Sequence, residues 1–244
     1  DRLGWERVER GRLRLENFSS PFEWKRQVLL GLPTDVPEPD RAGYEERIAE
    51  MIVDTARVAS GRTFGLFTSH RFLRRIAQRV RDSFQALGMP LLVQGEQPRS
   101  ELLRRFVASG RAVLLGNQSY WEGIDVPGGA LSCVFITRLP FRIPHHPLEQ
   151  GRAEELKSRG KSPFAHLALP RAVLGLRQGF GRLIRTVDDR GVVVIADTRI
   201  VRRPYGKRFI DSLPDCSRSE GPWVDVRTSL EAFFAEEEIE ESLQ

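Results

Sequence analysis

The 244 residues are 40% hydrophobic and 29% charged, which excludes a disordered or fibrous chain and allows one or two globular domains. No apolar run approaches the ~18–20 residues that span a bilayer, and two cysteines, Cys133 and Cys216, are too few for a disulfide scaffold, a four-cysteine zinc site or a four-cysteine iron–sulfur cluster; they read as reduced thiols in a cytoplasmic chain without a secretory segment. The net charge of +5 hides an acidic tail (Glu236, Glu237, Glu238, Glu240, Glu241), without which the chain carries +10, and only four of its 38 cations are lysines; arginine forks suit phosphate, so a polyanionic partner and an arginine-biased composition both fit.

The chain opens on Asp1 rather than Met, which reads as processing or as a piece of something longer. Residues 1–40 look irregular, with 32–39 a Pro-punctuated loop. Tyr44, Ile48, Ile52, Ala56 and Ala59 recur at helical spacing, predicting a helix over 44–60 that Gly61 stops. Residues 63–68 form a short apolar, strand-like run, after which Ser69 can cap a helix over 70–87 with Leu73, Ile76, Ala77, Val80 and Phe84 on its apolar face. Further strand-like runs lie at 91–94, 111–115, 132–137 and 191–197, the last apolar enough to be buried on both faces. Helices are expected over 98–109, 147–158 and 170–185. A capping box, Thr228 to Glu231, opens a final helix that runs into the acidic tail. Strands alternating with helices give an α/β fold, a parallel sheet covered by helices. Ligands in such sheets sit beyond the carboxyl ends of the strands, here near Thr68, Gln94, Gly116, Thr137 and Asp197.

Three constellations could carry chemistry. In residues 178–185 (QGFGRLIR), helical offsets of four and three put Gln178, Arg182 and Arg185 on one face, where an amide and two guanidinia can hold an anion with several oxygens. Gly179 and Gly181 each cost ~1 kcal/mol of helix propensity relative to alanine, a cost easier to explain if something packs close. A surface arginine stripe is the plainer alternative. The polar loop at 116–129 holds four glycines with Glu122 and Asp125; it could cradle phosphate, carry Mg²⁺-linked or coupling contacts, or be a long surface turn. Thr68, Ser69 and His70 end the first strand, where a helix cap could also receive a phosphate. His145 and His146 are adjacent and lack further ligands at suitable spacing, so a metal site is rejected. There is no Gly-x-x-x-x-Gly-Lys-Ser/Thr phosphate loop and no Gly-x-Ser-x-Gly nucleophile. Phosphate-sensing arginines without a phosphate loop look like half of a site.

Together these residues resemble the second RecA-like motor domain of superfamily 2 helicases of the DinG/XPD type, the DinG branch most closely. Thr68-Ser69-His70 resembles motif IV, residues 92–99 (LVQGEQPR) a DinG segment, 121–125 (WEGID) motif V, and 178–185 motif VI. The resemblance spans about three quarters of the chain. It implies a RecA-like parallel sheet with helices on both faces, within an ATP-dependent 5′→3′ DNA helicase of replication or repair. Gln178, Arg182 and Arg185 would contact the γ-phosphate, the arginines as fingers, with Gly181 in the same motif. Glu122, Gly123 and Asp125 would couple nucleotide state to DNA. Thr68, Ser69, His70, Gln94, Gly95 and Ser119 would hold single-stranded DNA. ATP with Mg²⁺ would be bound mainly by an N-terminal RecA-like domain of the same protein, and any iron–sulfur cluster would lie outside this chain. The domain would run over 17–215 with an insertion at 139–168 near the DNA path, leaving 1–16 and 216–244 unassigned. Alone, the chain would neither hydrolyse ATP nor unwind DNA. A stand-alone nucleic-acid-binding or regulatory module is the alternative, and a nucleotide-independent α/β enzyme a remote third.

Overall fold

A computed structural model describes residues 12, 16, 20–117, 120, 128–141 and 147–242. Its centre is one sheet of seven strands: β1 (Val28–Pro33), β2 (Thr63–Leu66), β3 (Leu91–Val93), β4 (Val113–Gly116), β5 (Cys133–Ile136), β6 (Gly191–Ile195) and β7 (Ser217–Gly221). Their order is β3-β4-β2-β5-β6-β1-β7, and every pair is parallel. Parallel neighbours cannot be joined by tight hairpins, so each connection crosses over a face of the sheet. Helix α1 (Trp24–Gln27) precedes β1; α2 (Tyr44–Val58), α3 (His70–Ala86), α4 (Arg99–Ser109), α5 (Pro147–Ser158), α6 (Leu169–Phe180), α7 (Arg199–Arg202) and α8 (Gly206–Ile210) lie in these crossovers, and α9 (Trp223–Ser242) follows β7.

Strands such as β5 (CVFI) and β6 (GVVVI) are buried along their whole length because both faces are covered. Side chains alternate between two cores. Phe64, Leu114, Val134, Ile136, Val193 and Ile195 meet Phe106 of α4, Leu176 and Phe180 of α6 and Phe209 of α8. Leu115, Phe135, Val192 and Val194 meet Ile48 and Ile52 of α2, Leu73 and Ile76 of α3, and Val226 and Leu230 of α9. A fully buried Leu or Ile contributes ~1.5–3 kcal/mol relative to exposure, and truncating Phe135 to Ala would cost ~3–5 kcal/mol.

Both cysteines lie buried and reduced, and burial pushes the Cys133 thiol up to about 12. No helix among the described residues is long and apolar enough to cross a membrane.

The fold departs from the sequence expectations at several places. The segment expected to be irregular contains β1, six buried residues inserted between β6 and β7. Its Gly31 admits α9: a Cβ there would lie 2.9 Å from Val226 Cγ1. The final helix begins at Trp223, so Thr228 is interior and its hydroxyl donates to the Val224 carbonyl at 3.0 Å instead of capping. The helix expected over 170–185 stops at Phe180.

Candidate functional site

The carboxyl ends of β2, β3 and β4 converge on one open cleft. Beyond β2, Phe67 dives into the core and its N–H bonds the Gly116 carbonyl at 2.8 Å, which leaves Thr68 half-buried and Ser69 and His70 at the surface. Ser69 caps α3, its Oγ accepting from the Phe72 N–H at 3.4 Å. This fixes His70 at the first turn of the helix. At the end of β3, Gln94 is half-buried and Gly95 takes φ +97°, a conformation that favours glycine and turns the chain back over the cleft. At the end of β4, the Asn117 backbone N–H donates to Gln94 Oε1 at 2.6 Å, and the Asn117 side-chain amide meets His70 Nε2.

Three strand ends, 23 and 47 residues apart along the chain, are thereby stitched into one polar rim. The cleft beside it has a volume of about 480 Å³, with His70, Arg74, Arg81, Gln94 and Gly95 along its wall. Glu96 engages Arg81 at 2.5 Å, and Arg74 lines the same wall. Its floor includes the buried Ala77 and Val93, and the guanidinium, imidazole and amide donors around it suit the oxygens of a phosphodiester backbone. Of the residues expected here, His70, Gln94 and Gly95 line this one cleft, while Thr68 and Ser69 lead into His70 from the end of β2. Ser119, Glu122, Gly123 and Asp125 lie outside the described residues. Tyr120 is buried against Phe64 at 6.3 Å between ring centroids, with the Arg99 guanidinium 5.2 Å from its ring.

The second constellation occupies the other edge of the sheet. Helix α6 ends at Phe180, and Gly181 closes it, its N–H bonding the Arg177 carbonyl at 2.9 Å. A Cβ on Gly181 would crowd that carbonyl at 3.2 Å, which accounts for one of the two glycines. The chain then tightens, with Arg182 N–H to Gly179 O and Leu183 N–H to Phe180 O, both at 3.2 Å. Leu183 and Ile184 are buried, so the apolar pattern continues although the helix does not. Asp189 Oδ2 accepts from the Arg185 N–H at 2.6 Å and the Thr186 N–H at 2.8 Å. Gln178 therefore sits in the last helical turn, while Arg182 and Arg185 are presented from a capped turn leading into the amino end of β6. The single helical stripe expected from the spacing is replaced by a helix end followed by a turn, held here by hydrogen bonds between residues three and four apart.

A third feature was read in the sequence only as a strand end. Asp197, fully buried just beyond β6, accepts from the Leu139 N–H at 2.8 Å and holds Arg199 through Nε at 2.8 Å and Nη2 at 2.6 Å. The carboxylate thus locks the segment after β5 to the segment after β6. Its only signal in the sequence is an acid at the end of an apolar strand followed two residues later by arginine. Nearby, Arg138 stacks over Tyr44 and Phe72, its guanidinium carbon 5.0 and 4.5 Å from the ring centres, and pairs with Asp40 at 3.0 Å.

The chain between Asn117 and Leu131 connects the carboxyl end of β4 with the amino end of β5. Its connection therefore runs from the edge with the polar cleft to the edge with the arginine turn.

Residues 52–216 match a family model described as a helicase C-terminal domain. The chain is similar to the ATP-dependent DNA helicase YoaA of Escherichia coli K12, with 43% identity over 218 residues, covering 89% of this chain and 33% of that protein. It is also similar to the 3′-5′ exonuclease DinG of Bacillus subtilis, with 38% identity over 229 residues, covering 92% of this chain and 24% of that protein. The chain spans about a third or less of the length of these relatives. A solved structure of XPD in its apo form superposes with a TM-score of 0.62 at 19% identity, over 80% of this chain and 40% of that one. The shared fold is RecA-like.

Proposed function

This chain belongs to the helicase C-terminal domain family and is of the DinG/YoaA type, and we propose that it serves as the second motor domain of an ATP-driven DNA helicase moving 5′→3′ along a single strand. The observation that carries the reading is the division of labour across the sheet. An arginine turn leads into the amino end of β6, and a polar cleft lies at the carboxyl ends of β2, β3 and β4.

Gln178, Arg182 and Arg185 face the γ-phosphate of ATP held on a preceding RecA-like domain of the same protein. The guanidinia stabilise the charge that develops in phosphoryl transfer, a contribution of ~10³–10⁵ in rate when an arginine reaches the phosphate. Because the fingers arrive only when the two domains close, turnover is tied to domain motion. Thr68, Ser69, His70, Gln94, Gly95 and Ser119 grip the single strand through its backbone, a sequence-blind and salt-sensitive contact. Glu122, Gly123 and Asp125, on the connection between the edges, relay the nucleotide state to that grip. Among the described residues no three His, Cys, Asp or Glu side chains converge as a metal site would need. The described donors of the arginine turn and the polar cleft fit phosphate oxygens; ATP with Mg²⁺ is assigned mainly to the other domain with its phosphate loop, and any iron–sulfur cluster to a part of the protein beyond this chain. The motor domain takes in residues 17–215, with the 139–168 insertion beside the strand path.

The test compares the parent protein with this chain alone. The parent should hydrolyse ATP in a single-strand-dependent way and unwind duplexes bearing a 5′ tail in preference to a 3′ tail. The isolated chain should do neither. A parent protein that binds single strands but never hydrolyses ATP would favour a binding or regulatory module instead.

A further inference from the structure

The arginine turn is held from a distance of some 160 residues by one buried amide. Gln27, the last residue of α1, is 6% exposed. Strand β1 begins at the next residue and pairs Val28 with Gly191, the first residue of β6. That register sets Gln27 beside the turn that feeds β6. Its Nε2 lies 2.8 Å from the Asp189 carbonyl oxygen, 3.0 Å from that of Val187 and 3.3 Å from that of Thr186. Its Oε1 accepts from the Glu23 N–H at 2.8 Å, while its own N–H returns a bond to the Glu23 carbonyl at 3.0 Å. The orientation of the amide is forced: flipping it would set an oxygen against three carbonyl oxygens. Asp189 closes the same turn from within, through the Arg185 and Thr186 N–H groups.

We propose that Gln27 is a positioning residue for phosphoryl transfer: by drawing three carbonyls of the 186–189 turn onto one donor, it sets where Arg185 is presented to the nucleotide. This inference rests on the motor-domain reading above. A turn without that donor would leave carbonyls facing one another at the end of the core, and the chain around Arg185 would relax away. A misplacement of about 1 Å costs ~10²-fold in rate for a group that acts only in correct geometry.

The experiment uses the full parent protein carrying Gln27→Glu, which has the same size and shape but replaces the donor with an acceptor. At pH 8 the expected result is a kcat for single-strand-stimulated ATP hydrolysis that is lower by ~10–100-fold, with KM for ATP and single-strand affinity within about threefold of the unsubstituted protein. Burial against three carbonyl oxygens raises the introduced carboxyl above the ordinary carboxylate range, so as pH falls to 6 it takes up a proton and regains an O–H donor, and activity relative to the unsubstituted protein should recover by about fivefold or more. Unchanged kcat at pH 8 overturns the proposal, as does a loss shared by strand binding that shows no recovery at low pH. If Gln27→Glu does not fold, Gln27→Met keeps volume without charge; a kcat reduced about threefold or more with intact strand binding supports the proposal, and an unchanged kcat overturns it. Arg185→Ala is the control for the underlying reading. Full turnover in that variant means Arg185 is no finger, whereas loss in Arg185→Ala with none in Gln27→Glu rejects Gln27 alone.

Discussion

The Asn117 backbone N–H and the Gln94 side-chain oxygen, 2.6 Å apart, tie the ends of β4 and β3 into one rim. Removing the amide oxygen leaves a half-buried N–H without its acceptor and loosens the Asn117 contact to His70. Gln94→Ala in the parent protein should weaken single-strand binding by ~3–10-fold, the loss of one or two hydrogen bonds. Arg74→Ala, which removes a cation from the same cleft, should lower the slope of log affinity against log salt by about 1. Fluorescence anisotropy across a salt series checks both, and unchanged affinity and slope would place the strand elsewhere.

Helix α9 is anchored to the body through Trp223, whose indole N–H donates to the buried Asp54 at 3.1 Å and whose backbone N–H donates to Asp35 at 2.8 Å. Arg57 at 3.2 Å and Arg227 at 3.6 Å share the Asp54 carboxylate. Trp223→Phe keeps most of the packing and deletes one bond to a buried charge, so urea unfolding should show a loss of ~1–2 kcal/mol. Val224→Ala, at a neighbouring exposed position, should stay within about 0.5 kcal/mol.

Burial raises the Cys133 thiol from 9.0 to about 12. An unfolded chain ionises this thiol near its ordinary value while the folded chain keeps it protonated, so stability is constant below about pH 9 and falls above it. The decline approaches ~1.4 kcal/mol per pH unit up to about pH 12. The Tyr44 phenol, raised by burial and by the nearby Asp197 charge, adds to the decline at still higher pH. Chemical denaturation at pH 8, 9, 10 and 11 should show this loss, and Cys133→Ala should flatten its first part. An identical slope in the variant would assign the effect to other groups.

Segments with one strong periodicity were legible in the sequence. The helix expected over 44–60 is Tyr44–Val58, and that expected over 70–87 is His70–Ala86. Strand β1 (VLLGLP) escaped because a parallel strand buried on both faces shows no alternation, and its Gly and Pro imitate a loop. Strand β7 (SRSEG) is a polar edge that no hydrophobic pattern marks. The end of α6 escaped because Leu183 and Ile184 keep an apolar rhythm from within a turn. At the site, His70 and Gln94 are singled out by local signals, the ends of apolar strand-like runs. What joins them could not be read locally, since Asn117 lies 23 residues from Gln94 and Gln27 lies 162 from Asp189. Contacts of that range are set by strand order, which only the folded sheet displays.

The arginine fingers are the central claim, and Arg182→Ala in the complete two-domain protein tests it most directly. ATP turnover and single-strand affinity are measured on the same preparation. The expected result is turnover lower by ~10³-fold or more with the dissociation constant for single strands within about threefold of the unsubstituted protein. Turnover within about threefold of the unsubstituted protein would contradict the account, because no arginine that meets the γ-phosphate in the transition state could be lost so lightly.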